Sequence, residues 1–529
     1  MKRILALFLC AVMLCGMLSG CQEDEGAYIP TGDALDDGSG SNMLPTEPPK
    51  EQKLTMVYSP SASLNPFHTQ DLNNRTLLPL LYQGLFSVGR DYAPTPILCQ
   101  SYTVSPDMKT YTFYLAAARF SDGTTVTAAD VAASYEAARQ SAYYSGRLQH
   151  ILTVTAVGAA VVMELDTPFQ NLPLLLDIPI VKASEVDSAE PLGTGPYVMD
   201  GSLTGRRLRR QAAWWCKDTA DLVVTSAYIP LVKAESPSQV RDEFEFRDVG
   251  LVCADPGSDH YADYRCDYEI WDCENGYFLY MGVNAKSKLF EDATIRRALT
   301  HAIDRDTIVE EFYRGFARSA TLPASPTSPY YDATLAGRYG YDSLKFTTAL
   351  TDANLQGAPV TMVINSDDSL RVRLGRRIAK MLRECGLEVT LLELTTAKFT
   401  EHLIWGEYDL YLGQTKMSPN MDLTPYFKQY GSLNYGGMTD TTIHAMAREA
   451  LANSGNYYNL HETVAADGRL TSILFSSYAV YATRGLLTTL SPSRDNVFFY
   501  TIGNTMSHAQ MEEAPPPPPP TTEDISGEA

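Results

Sequence analysis

The chain has 529 residues, 45% of them hydrophobic and 20% charged, a balance typical of globular proteins and a length that predicts at least two hydrophobic cores. Its formal net charge of −21 argues against nucleic acid as a partner, because phosphate binding needs concentrated Lys and Arg. The arginines do cluster, at Arg206, Arg207, Arg209 and Arg210 and again at Arg371, Arg373, Arg376 and Arg377, and both groups read as solvated faces.

At the N-terminus, Lys2 and Arg3 precede an apolar run from Ile4 to Leu18 that is short for a membrane span and has the layout of a secretory signal. Residues 1–20 are expected to be removed. The segment Leu18-Ser19-Gly20-Cys21 that follows resembles the lipobox of bacterial lipoproteins, which implies lipidation of Cys21 and a tether to the outer face of a membrane. Residues 21–52 are acidic and rich in Gly, Ser and Pro, with little to bury, and read as a disordered linker. Residues 509–529, with the proline run from Pro515 to Pro520, read as an extended, solvated tail.

Between these ends, Lys53 to Tyr58 predicts a first strand, followed by a loop carrying Leu64-Asn65-Pro66-Phe67. Leu77 to Phe86 has a helical pattern closing at or just beyond Gly84, and Thr110 to Leu115 alternates as a half-buried strand. Ser121-Asp122-Gly123 is a turn, and Thr127 with Asp130 predicts a capping box for a helix through Arg139.

From Gly276 the pattern is strand, then two helices. Phe278 to Val283 is apolar and ends at Asn284, after which Ile295, Leu299, Ala302 and Ile303 recur at helical spacing. Asp292 is placed to cap the first helix and Asp304 or Asp306 the second, which would bury Ile308, Val309 and Phe312 and stop near Gly315. Arg297 and Asp304, seven residues apart, would share one helical face and form a structural tie. Val360 to Leu394 reads strand, helix, strand, with Leu370, Leu374, Ile378, Met381 and Leu382 as the buried stripe and Gly386 ending the helix.

Several of these segments together resemble the large solute-binding proteins of bacterial peptide importers of the ABC type, the extracellular solute-binding proteins of family 5. The match runs through Tyr82, Gly84 and Leu85, then Ser105, Asp107, Tyr111, Thr112 and Phe113, then Phe120 to Gly123 with Ala129, Asp130, Val131 and Ser134. Gly193-Thr194-Gly195-Pro196-Tyr197 is similar to a family turn, and Asn284, Arg297, Ala298, Leu299 and Ala302 to Arg305 match another family element. The resemblance covers roughly residues 53–505.

It implies an α/β, two-lobed periplasmic-binding-protein-like fold (large class, Venus-flytrap) with hinge strands between the lobes. Lobe I would be 53–270 with 476–508, and lobe II 271–475. It further implies a monomer that holds a peptide or other small solute between the lobes, for delivery to an ABC permease and ATPase complex.

Where the family has an aspartate for the free peptide amine, this chain has Ser418, and Thr415 stands at the usual aromatic position. Asp422 is the expected substitute, with Asn65, Trp271, Trp405, Tyr430 and Tyr435 as further candidates for ligand contact. Two other readings stay open: the same fold binding a nickel chelate, haem, a sugar or a signalling peptide, and a secreted hydrolase.

Catalytic and metal signatures are missing from the sequence. There is no G-x-S-x-G elbow, no second histidine after His461-Glu462 and no C-x-x-C pair, so no metal, cofactor or enzymatic activity is expected. A bridge between Cys266 and Cys273 is left open.

Overall fold

The computed structural model describes residues 53–201, 205–261 and 263–503. The signal segment, Cys21, the acidic linker and the proline-rich tail lie outside the described residues.

Eleven strands form the largest sheet among the described residues: β1 (Met56–Tyr58), β2 (Tyr197–Asp200), β3 (Arg207–Arg210), β4 (Tyr228–Lys233), β5 (Leu251–Ala254), β6 (Tyr268–Val283), β7 (Ala317–Ser319), β8 (Pro359–Asn365), β9 (Glu388–Leu394), β10 (Leu410–Lys416) and β11 (Leu470–Thr483). Their order is β9-β8-β10-β6-β11-β5-β1-β4-β3-β2, with β7 paired to β11 off that path. The antiparallel pair β6 and β11, 16 and 14 residues long, runs through the middle. At one end these strands pair with β10 and β7, at the other β11 pairs with β5. A second sheet is formed by Cys99–Val104, Thr110–Leu115, Ala160–Leu165 and Ile151–Val157, in that order.

The apolar residues divide along the same line. One cluster joins Leu77, Leu81, Phe113, Tyr135, Leu176, Leu208 and Ile229, and it is completed by Val480, Val497 and Phe498 from the end of the described chain. Two others draw on the later part, one around Leu279, Leu299, Ile364, Leu374 and Leu410, the other around Phe278, Tyr280, Tyr411, Tyr426 and Phe475. Side chains alternate across a strand, so Phe278 and Leu279 on β6 feed different clusters. This is an α/β chain with separate cores joined by two long strands.

Local signals in the sequence correspond to real caps. Asp292 accepts from the Thr294 amide and Asp304 from the Thr307 amide, opening helices Ala293–Leu299 and Arg305–Tyr313. The capping box of Thr127 and Asp130 opens Ala128–Gln140. Strands β8 and β9 are parallel, with helix Ser369–Glu384 between them burying Leu374, Ile378, Met381 and Leu382 while Leu370 stays half-buried.

Two expectations need correction. The helix placed at Leu77 to Phe86 spans Leu72–Leu81, capped by Asp71, and tolerates Pro79 inside it; Phe86 begins a short strand. Its first turn was hidden because Asn74 looks solvated yet is fully buried, its amide bonded to Ser59, Ala62 and Ser63. The tie between Arg297 and Asp304 does not form, because the helix tightens at Thr300–Ala302 and Ile303 is extended. Arg297 instead donates to the Ala466 carbonyl at 3.2 Å, and the Asp304 carboxylate serves Thr307.

The six cysteines of the described residues are all free thiols. Cys273 is buried and donates to the Ser493 carbonyl at 3.2 Å, so the bridge to Cys266 is not made.

Candidate functional site

A cavity of about 830 Å³ lies where β6 and β11 cross between the two sets of cores. Its walls come from three sources. The earlier part of the chain supplies Arg75, Tyr143, Asp255, Asp259 and His260; the later part supplies Tyr313, residues 367–371, Gln414, Thr415 and Lys416; the crossing strands supply Asn275, Tyr277, Ser476 and Tyr478.

Each side chain is brought there by a short structural feature. Lys416 is the last residue of β10, and Tyr277 pairs with it across the sheet on β6. Just before Tyr277 the β6 register against β11 slips between Glu274 and Phe278, with Gly276 at φ 70°, a conformation that favours glycine. The first turn of Ser369–Glu384 brings Ser369, Leu370 and Arg371 to the wall, with Asp368 as its cap.

Charge is concentrated at one end of the cavity. The Lys416 Nζ donates to the Asn275 carbonyl at 2.5 Å, lies 2.8 Å from the Asp495 carboxylate and sits 4.2 Å from the Tyr143 ring centroid. Burial pushes its pKa down to about 7, with Arg494 and Arg75 lowering it further and Asp495 opposing them. Asp495 itself stays below the ordinary carboxylate range: burial alone would raise it, and Lys416 and Arg494 outweigh that. Across the cavity, burial raises the Asp255 carboxyl, and Asp368 adds to the effect.

The mouth is bridged. Asp259, from the earlier part of the chain, contacts both Arg373 and Ser369 from the later part, and Arg371 is held by Gln414 and by Asp368 at 3.4 Å. The arginines of residues 371–377 therefore work as ion-pair partners: Arg376 pairs with Glu393 and Arg377 with Glu311.

None of the seven residues expected to meet ligand lines this cavity. Asn65 is buried and committed to its own loop, donating to the Val186 and Ser188 carbonyls and accepting from the Phe67 amide. Ser418 donates to Asn420 at 2.7 Å. Asp422, expected as an amine anchor, is buried and accepts from Gln149, His150 and the Thr424 amide, so its carboxylate is already saturated. Trp271 is half-buried against the first core, Tyr435 packs edge-on to Tyr411, Trp405 lines a different recess with Asn284 and Asp409, and Tyr430 is 94% exposed. Arg75, Tyr143 and Asp495 carried no local sequence signal; Thr415, Lys416 and Tyr277 lay in segments the motifs had marked.

No group of three or more His, Cys, Asp or Glu is placed to hold a metal among the described residues, and no helix there is long and apolar enough to cross a membrane.

Two sets of cores, two long strands that join them and a large cavity between define a two-lobed fold. The chain belongs to a family described as "Bacterial extracellular solute-binding proteins, family 5 Middle", which matches residues 93–437. The glutathione-binding protein GsiB of Escherichia coli (strain K12) is 24% identical over 352 residues, 63% of this chain and 68% of that protein.

Among solved structures, NikA from Brucella suis in complex with Fe(III)-EDTA has a TM-score of 0.68 at 17% identity, covering 84% of this chain and 98% of that one. The oligopeptide-binding protein AppA from Bacillus subtilis, in complex with a nonapeptide, has a TM-score of 0.57 at 17% identity, covering 82% and 94%. The family resemblance and the two-lobed α/β fold expected from the motifs are borne out.

Proposed function

We propose that this protein is the extracytoplasmic, lipid-anchored binding component of an ABC importer. It captures a peptide or related small solute between its lobes and delivers it to a membrane permease and ATPase complex. The observation that carries this reading is the cavity of about 830 Å³ lined from both parts of the chain and from both crossing strands. That volume is in the range of small-molecule sites.

The lobes would be 53–270 with 476–508 and 271–475, acting as a monomer. β6 and β11 would carry the hinge. A solute touching Arg75 and Tyr143 on one side and Arg371 and Lys416 on the other gains contacts only when the lobes approach, so it stabilises the closed form. The pairing of Asp259 with Arg373 and Ser369 would then seal the mouth. Cys21 would tether the body through the acidic linker. The role is capture: cation, carboxylate and aromatic groups surround the cavity.

A non-peptide solute is the second reading, and one observation favours it. The position expected to meet a peptide amine is occupied by an already bonded Asp422, while the charged end of the cavity presents Lys416. A thermal-shift screen tests both readings, because a solute that binds only the folded protein raises Tm. Peptides of two to nine residues, glutathione and metal chelates form the panel. A rise of several degrees with any of them supports the reading; silence of the whole panel overturns it.

A further inference from the structure

Behind the Lys416 end of the cleft lies a second, smaller cavity of about 90 Å³. Arg75 and Tyr143 line both, so they form the partition between them. Its far wall is apolar, made by Leu78, Pro79, Phe86 and Ile97, and its remaining lining is dense in charge.

The charges do not balance. Arg147 is ion-paired with Asp177. Asp495 is taken by Lys416 at 2.8 Å and also accepts from the Tyr143 hydroxyl at 2.7 Å. Arg75 and Arg494 share the field of that one carboxylate with Lys416 and form no ion pair of their own among the described residues. Arg75 lies 3.2 Å from the Tyr143 ring centroid and donates to the Thr69 carbonyl and the Tyr144 hydroxyl.

Arg494 is the sharper case. It is 4% exposed, and only its Nη2 has a partner, the Met417 carbonyl; Nε and Nη1 are buried without one. The guanidinium has room there because Gly276 has no side chain: a Cβ at that position would collide with Nη2. A buried cation with two idle donors is costly unless something anionic comes to it.

We propose that this recess receives a carboxylate carried by the solute. Its oxygens would meet Arg494, with Arg75 at the entrance and Lys416 adding positive potential, while the rest of the molecule fills the larger cleft. Asn496 lines the same recess with its amide oxygen unpartnered, and turning the amide would offer a further N–H donor. This inference rests on the solute-binding reading and deepens it: the cleft is polarised toward an acid group at its inner end. The chemistry is shared by a peptide C-terminus and by a non-peptide acid, so the test separates them.

Tri-alanine, tri-alanine amide, glutarate and glutaramide are compared by thermal shift and calorimetry on the full-length protein. At least one acid is expected to bind at least tenfold more tightly than its amide. Tri-alanine as the binder identifies a peptide terminus, and glutarate identifies a non-peptide acid. In Arg494→Gln the discrimination should vanish, while Tm without solute stays equal or rises, because a buried charge with two idle donors has been removed.

A fall in that Tm with discrimination intact would assign Arg494 a purely structural role and overturn the proposal. So would equal binding of acids and amides by the unaltered protein, a comparison that needs no variant. If the peptide, glutathione and chelate panel yields binders and each peptide binder is held as tightly in its C-terminal amide form, this inference fails and the cleft stands. If nothing in either set binds, the cleft reading fails with it.

Discussion

His150 and Asp422, 272 positions apart in the chain, meet in the interior of the protein, imidazole Nε2 to carboxylate Oδ2 at 3.1 Å. The other ring nitrogen, Nδ1, lies 2.8 Å from Asp166. Burial alone would lower the His150 pKa, but Asp422 and Asp166 outweigh it and hold it above the ordinary histidine value. Asp422 is held below the ordinary carboxylate value: burial opposes this, and the His150 contact overcomes it.

The signs fix a pH window. The raised histidine contributes stability that is complete below its unfolded pKa of about 6.5 and is lost as pH rises through the folded value. The depressed aspartate contributes above about 3.9 and loses its share as pH falls through its folded value. The difference in Tm between the native chain and His150→Gln should therefore be largest near pH 5 to 6 and shrink toward pH 8 to 9. Asp422→Asn at pH 6 should cost about 2 kcal/mol in urea unfolding, the scale of a charge-assisted hydrogen bond.

Lys416 carries the opposite sign. Its folded pKa of about 7 lies below the unfolded lysine value, so across the interval between them the unfolded chain holds a proton the folded chain has released. Stability gains from this group as pH rises through that interval. Burial, Asp495, Arg494 and Arg75 set its value, and the Tyr143 and Tyr277 rings face the ammonium. Compared with Lys416→Met, the native chain should gain about 2 kcal/mol between pH 7 and 9, at 1.36 kcal/mol per unit as an upper slope. Urea midpoints at the two pH values measure it, and an unchanged gap would show that the ammonium titrates normally.

Gly276 and Gly315 both have positive φ, 70° and 83°, but a Cβ at Gly315 meets nothing within 4 Å, while one at Gly276 strikes the Arg494 guanidinium. Gly315→Ala should lose about 1 kcal/mol from backbone strain alone. Gly276→Ala should lose more than that and also weaken solute binding, since Arg494 must move. Equal losses at the two sites would mean that the guanidinium gives way freely.

Arg305 is buried without an ion-pair partner among the described residues, its guanidinium donating to the carbonyls of Ala320, Ser472, Thr300 and Ile303 and to the Thr300 hydroxyl. Burial pushes its pKa down to about 10. Arg305→Leu should destabilise by about 3 kcal/mol or more, because several carbonyls lose their donor at once. Arg305→Lys should recover little, because one ammonium cannot span the positions of a planar fork. Chemical denaturation of the two variants provides the comparison.

The scaffold was legible where its causes are local. Asp292, Asp304 and Thr127 cap helices a few residues away, and the Leu374 to Leu382 stripe shows its period in one window. The site was not, because its residues arrive singly from distant segments: Arg75 from a helix whose polar first turn hid it, Tyr143 from a loop, Lys416 from a strand end and Asp495 from an aperiodic stretch. The surroundings of Asp422 stayed hidden for the same reason: the resemblance offered it as a substitute amine anchor, and nothing near it in the chain announces His150.

The Gln83 amide reaches the Tyr500 hydroxyl at 2.8 Å across 417 residues, and Val497 and Phe498 complete a core begun at Leu54. Such closure has a consequence in time. A chain emerging from its N-terminus brings out Tyr143 a full 352 positions before the Asp495 that accepts from its hydroxyl. Until then the nascent protein has neither a completed first core nor an inner end to its cleft, so solute cannot be trapped by a half-made molecule. Final assembly must wait for a long-range search, which makes slow folding the expected behaviour.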